Sequence, residues 1–170
     1  MNERLRQSAR RALSCERGNA AAEFALLLPM LLILMFAFYE AGRLFWNYNI
    51  VSSSARDAAR YAARLTIACP GTLSSSDETK VKQLARTGIP APGGTPLIPG
   101  WTSDSSVTVQ VTCLDNPAAG VTYAGRYNGM AKIPTVKVTA SAPYSILFSS
   151  LFPGVNLTSV STNNAQVWTQ

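Results

Sequence analysis

The run at residues 20–39, AAAEFALLLPMLLILMFAFY, constrains this chain more than any other feature. It carries a single charge, Glu23. Twenty helical residues rise about 30 Å, the thickness of a bilayer's hydrocarbon core. Residues 24–39 have no polar face, so the run does not suit a helix half-buried on a soluble core. One membrane span is therefore expected. Pro29 lies inside it and removes a backbone donor, so a kink is expected there. Neighbouring helices in lipid can accommodate such a break.

The flanking charge gives the span a direction. The formal net charge is +6. Residues 1–18 contribute half of it, through Arg4, Arg6, Arg10, Arg11 and Arg17 against Glu3 and Glu16. Basic residues just before an apolar run mark the cytoplasmic side. The excess is thus read as a topology signal, and nucleic acid is not expected as a partner. A secretory signal peptide would place small residues after its apolar run. Here Gly18 to Ala22 precede it, and Phe38-Tyr39-Glu40-Ala41-Gly42 follows it, which is a poor cleavage site.

Composition removes most catalytic classes. The chain has no histidine, so imidazole acid–base chemistry and imidazole zinc ligation are excluded. Three cysteines cannot form a four-thiolate zinc site. The glycine-rich phosphate loops and the Ser-x-x-Lys hydrolase motif are absent from the sequence. No enzyme activity and no cofactor or metal are expected.

The stretch Arg17-Gly18-Asn19-Ala20-Ala21-Ala22-Glu23-Phe24 precedes Ala-Leu-Leu-Leu-Pro29. A basic leader ends in glycine, and five residues later a glutamate stands inside apolar sequence. This resembles the prepilin-peptidase site of type IV pilins, within them the Flp/Tad type. Residues 18–65 resemble the TadE-like pseudopilins more closely. The resemblance rests on Glu23-Phe24, Leu27-Leu28-Pro29, Glu40 after the span, and Ala55-Arg56-Asp57-Ala58-Ala59-Arg60. It implies cleavage between Gly18 and Asn19, leaving Glu23 as the fifth residue of the mature chain. A carboxylate in a membrane helix costs about 2.5–3.5 kcal/mol at the bilayer centre and less towards the interface. The new α-amino group of Asn19 on a neighbouring subunit would offset that cost and set axial register. The residues alone also allow Glu23 to snorkel to the headgroups or to pair with Arg17. Phe24 completes the recognition pattern.

Beyond the span, Leu44, Tyr48, Val51, Ala55, Ala58, Ala62 and Leu65 recur in steps of four and three, a seam for packing. One helix from residue 20 to 65 would be about 69 Å long. Ser52-Ser53-Ser54 is its weakest point. Arg56, Arg60 and Arg64 form an i, i+4, i+8 stripe, read either as a solvated face or as a subunit contact. Glu40 is expected to pair with Arg43 or with an arginine of a neighbouring subunit.

Cys69-Pro70-Gly71 ends the long helix. Ser75-x-x-Glu78 reads as a capping box for a short helix over 78–87, closed by Gly88. Residues 88–100 read as a surface loop, and 115–132 as a long glycine-rich one. Strands are expected at 106–113, with Val107, Val109, Val111 and Cys113 on one face, and at 135–142, with Val136, Val138 and Ala140. A weaker third strand is expected at 157–168. The apolar segment 144–152 is expected to pack under the sheet, with the outer membrane leaflet or a partner surface as alternatives. Trp101 and Trp168 read as core or rim residues. Once the topology is assigned, Cys15 lies in the reducing leader, while Cys69 and Cys113 lie where oxidation is permitted. They either pair or remain as two buried thiols.

The expected fold is α+β, a long N-terminal transmembrane helix with a small antiparallel sheet packed on its exposed half. The expected divisions are 1–18, a cytoplasmic basic leader; 19–66, the long helix, membrane-spanning at about 20–42; and 67–170, an exported head. What the resemblance implies is a minor pilin of a Tad pilus in the cytoplasmic membrane. Its partners would be lipid, a prepilin peptidase, other pilins and pseudopilins, and the Tad inner-membrane assembly platform. An uncleaved, signal-anchored binding or scaffold domain is the other reading.

Overall fold

A computed structural model describes residues 16–116, 125–150 and 154–169, with the side chains of 16–19 left out. Helix α1 spans Glu16–Ala62, and α2 spans Ser75–Thr87. Strands β1 (Val107–Asp115), β2 (Lys132–Pro143) and β3 (Ser159–Val167) form an antiparallel sheet in the order β1-β2-β3. The architecture is the expected α+β arrangement of a long apolar helix and a small antiparallel sheet.

The two halves of α1 meet different surroundings. Every residue from 20 to 35 is exposed, although the segment is almost wholly apolar. The helix that carries it is long and apolar enough to cross a membrane. Near its C-terminal end, α1 presents a small, buried face. Val51, Ser54, Ala55, Ala58, Ala59, Ala62 and Ala63 face the head. Alanine lets a helix axis approach a sheet closely, so this half packs on β2, β3 and α2. Pro29 lies within the continuous helix. The serines of 52–54 do not break it. Ser53 and Ser54 donate their hydroxyls back to the carbonyls of Ile50 and Val51, at 3.0 Å each.

The seam begins higher than its periodicity predicts. Val51, Ala55, Ala58 and Ala62 are buried as expected, but Tyr48 is half-exposed. The sheet does not reach down to that level of the helix. After Ala62 the chain tightens. Arg64 and Leu65 donate to the carbonyls of Tyr61 and Ala62 three residues back, at 3.1 Å each.

Helix α2 starts earlier than its expected capping box. Ser74, not Ser75, is the N-cap, and its hydroxyl accepts from Asp77 N–H at 3.1 Å. The motif has therefore shifted by one residue, which the serine run Ser74-Ser75-Ser76 leaves open to sequence reading. The other end is as expected. Gly88 sits in the left-handed region at φ 79°, and its N–H bonds Leu84 O at 2.9 Å.

The register fixes which side chains share a face. Val107, Val109 and Val111 lie opposite Ala140, Val138 and Val136. Val136, Val138 and Ala140 in turn face Gln166, Asn164 and Thr162. The inward face of β3 is thus polar except for Val160, which explains its weak strand pattern. Trp101, 1% exposed, fills the core beside Ile98 and Val107, and its indole N–H bonds Ser106 Oγ at 2.8 Å. Trp168 closes the far end, donating its indole N–H to Leu65 O at 3.0 Å. Cys69 and Cys113 form a disulfide, joining the stretch after α1 to β1.

The segment after β2 departs from expectation. Tyr144 is buried, but residues 145–150 do not lie under the sheet. They turn down along α1, where Phe148 stacks on Phe36 with ring centroids 4.6 Å apart and meets Tyr39 edge-on at 6.1 Å. Residues 151–153, the end of that apolar segment, lie outside the described residues.

Candidate functional site

Two regions of α1 carry the features singled out in the sequence. The first is the start of the apolar half. The backbone of Gly18 and Asn19 is helical, so the expected processing point lies within α1. Glu23 and Phe24 lie one turn further along and are both exposed. The helix carries Pro29 a further turn and a half on, inside the exposed apolar stretch. Cys15 and the arginines at 4, 6, 10 and 11 lie outside the described residues.

The second region is the end of the apolar half, where charge reappears. Glu40 and Arg43 are one turn apart on α1, and Arg43 Nη2 lies 2.8 Å from Glu40 Oε1. The head closes over this pair. The Tyr144 hydroxyl donates to the same carboxylate oxygen, and Leu147 N–H donates to Oε2 at 3.3 Å. Arg43 also donates to Ser145 O, and its guanidinium sits 4.6 Å from the centre of the Tyr144 ring. Glu40 thus finds its partners inside one chain. Burial, reinforced by donation to the Glu40 carboxylate, pushes the Tyr144 hydroxyl up to about 12. A neutral phenol is the form this geometry needs, because only the protonated oxygen can donate.

Sequence reading found Glu40 and Arg43 but missed Tyr144, Ser145 and Leu147. Those three lie about a hundred residues away, and no local pattern links them to α1. A groove beside this cluster is lined by Ala37, Ala41 and Leu44 from α1 and by Ile146, Val155 and Leu157 from the head. It is nearly all apolar.

Arg56 and Arg60 are exposed on the face of α1 that turns away from the sheet, and Arg64 continues that face just beyond the helix. The structure therefore gives three separate places: the N-terminal end of the apolar stretch, the Glu40 cluster, and the arginine stripe. Among the described residues no group of histidine, cysteine, aspartate or glutamate side chains could hold a metal ion.

These features define an α+β protein in which one helix supplies both a membrane-length apolar rod and the buried spine of a small head. Residues 18–60 match the model of the family described as TadE-like protein. The match begins at Gly18 and ends at Arg60, so it covers both the Glu23 region and the Glu40 cluster's helical half. It points to a minor pilin associated with a Tad pilus. No curated protein and no solved structure matches the chain.

Proposed function

We propose that this protein is a minor pilin, or pseudopilin, that acts in assembly of a Tad (Flp-type) pilus. The observation that carries the reading is the division of α1. Residues 20–35 form an apolar rod that the described part of the chain leaves uncovered, while the head packs on α1 from Phe36 onward. Such a rod can rest in lipid before assembly and pack against neighbouring rods after it. The TadE-like match over 18–60 supports the same reading.

In this reading the N-terminus is cytoplasmic, α1 crosses the inner membrane once, and the head lies outside the cytoplasm. A prepilin peptidase cuts between Gly18 and Asn19. Glu23 then meets the new N-terminal amine of a neighbouring subunit, which offsets the cost of holding a carboxylate in an apolar bundle. Its partners are lipid, the peptidase, other pilins and the Tad assembly platform. The role is assembly rather than catalysis.

The test is the N-terminus of membrane-extracted protein, read by intact mass and terminal peptide sequencing, with and without the host's prepilin peptidase. A start at Asn19 that depends on the peptidase is expected. A start at Met1 in both strains would overturn the reading and leave an anchored binding or scaffold domain. Given cleavage, Glu23→Ala is expected to be processed normally yet fail to support pilus formation. Normal piliation in that variant would remove Glu23 from the mechanism.

A further inference from the structure

We propose that residues 145–150, with Val155 and Leu157 beside them, form a membrane-insertion loop that seats in the lipid leaflet on the head's side. The inference rests on α1 crossing a bilayer through its apolar run, and it concerns the head rather than the pilus role.

The first argument is depth. Glu40 is the first charged residue after the run, and it marks where α1 leaves the hydrocarbon. Phe148 does not stay at that level but stacks on Phe36. Phe36 lies four helical residues, about 6 Å, on the apolar side of Glu40. Interfacial segments bury their apolar face about 5–10 Å into the headgroup and acyl boundary. A loop fastened to Phe36 and Tyr39 therefore stands at the depth of lipid whenever α1 spans the bilayer.

The second argument is polar satisfaction. Backbone groups cannot enter lipid unless their hydrogen bonds are met. Here the Glu40–Arg43 pair meets two of them at the loop's entry, through Leu147 N–H and Ser145 O. The two charges neutralise each other as they do so.

The third argument is what the loop presents outward. Leu147 is 56% exposed and Val155 51%. On α1, Phe38 and Tyr39 are exposed at the same level. The chain carries no charged side chain from residue 138 to residue 170. An uncharged segment that exposes Leu147, Val155 and Leu157 among the small polar Ser145, Ser149 and Ser150, continuous with an apolar helix surface, matches the interfacial region of a bilayer. The head is then held at the membrane by two attachments, the helix and this loop, and cannot pivot freely about α1.

The test places a fluorescent nitrobenzoxadiazole label on single cysteines in the full chain. Cys15→Ser removes the remaining thiol, and the Cys69–Cys113 bond keeps the other two unreactive. The label goes at Leu147→Cys, at Val155→Cys as a second loop position, at Leu31→Cys within the apolar run, and at Gln110→Cys on exposed β1. Each protein is reconstituted at one copy per phosphatidylcholine nanodisc, with or without lipid bearing a doxyl quencher, placed near the headgroup for the head positions and at mid-chain for position 31. The expected result is blue-shifted emission and lipid-dependent quenching at 147 and 155, with protection from aqueous iodide. Position 110 should show iodide quenching alone. If 31 is quenched by lipid while 147 and 155 respond only to iodide, the loop proposal is overturned and the span stands. If 31 also fails to respond to lipid, the span reading and the proposal fall together. Shielding of the loop only when several copies share a bilayer would assign the surface to a second copy of this chain and overturn the lipid proposal. None of these outcomes alters peptidase processing at Gly18, so the pilin reading is tested separately.

Discussion

Removing the Cys69–Cys113 bond asks how firmly the head is held together above α1. The bond spans a sequence separation of 44 residues, enclosing α2, the proline-rich loop and most of β1. Closing a loop of that length restricts the unfolded chain and stabilises the fold by about 4 kcal/mol in the chain-entropy model. A domain of this size shifts by about 4–8 °C for each kcal/mol. The double variant Cys69→Ser/Cys113→Ser should therefore melt at least about 15 °C below the parent. Far-ultraviolet circular dichroism is the wrong probe, because the apolar half of α1 stays helical in a micelle and dominates it. Near-ultraviolet dichroism reports the packing of Trp101 and Trp168, both seated in or beside the core. Melting in detergent should show one head transition, moved to lower temperature in the variant. Non-reducing peptide mapping of the parent should recover the 69–113 linkage with Cys15 unlinked. A variant melting within about 3 °C of the parent would refute the reasoning, since that corresponds to less than about 1 kcal/mol. The core cluster would then restrict the unfolded chain less than the loop-closure argument requires.

Three further outcomes follow from particular contacts. Ala58→Leu forces a larger side chain into a position with no exposed surface and should cost about 1–3 kcal/mol, whereas Arg56→Ala on the opposite face should change head stability by less than about 0.5 kcal/mol, both read from the near-ultraviolet melt. Gly88→Ala places a Cβ on a left-handed residue at φ 79° and should cost about 1–2 kcal/mol, measured the same way, with fraying of α2 visible as faster amide exchange at its last turn. Tyr144 should ionise near 12, later than an ordinary tyrosine at about 10. Because the folded value is raised, its contribution is complete below pH about 10 and disappears as pH rises through 12. The difference in absorbance at alkaline pH between the parent and Tyr144→Phe isolates this group, and a midpoint near 10 would contradict the buried donation to Glu40.

The arrangement gives α1 two chemistries along one axis. Its N-terminal stretch is bulky and apolar, suited to lipid or to other helices. Its C-terminal stretch is small and buried, suited to a sheet. The Glu40–Arg43–Tyr144 cluster sits at the junction and ties the head to the helix just where the surroundings change. Loss of any member removes a hydrogen bond between the helix and the descending chain, which is why the cluster couples the two.

Local patterns in the sequence determined the elements. An apolar run of membrane length with a single charge, seven positions at helical spacing, and two alternating valine strands each follow from the geometry of one segment and its nearest neighbours. Val107, Val109 and Val111, and Val136 and Val138, face the core as their alternation requires. The pairing of Cys69 with Cys113 was one of two open options, and the fold brought the cysteines together. The third strand was hard to read because its inward residues are Thr162, Asn164 and Gln166, which break the apolar alternation. Tyr48 fits the seam by spacing yet stays half-exposed, because periodicity says which side of a helix a residue occupies and not how far along it the sheet extends. Tertiary structure alone decided where residues 144–150 go. Their apolar character is equally satisfied beneath a sheet or against a helix. The choice came from Glu40 and Arg43, a hundred residues away, which provide hydrogen bonds that only a chain descending along α1 can reach.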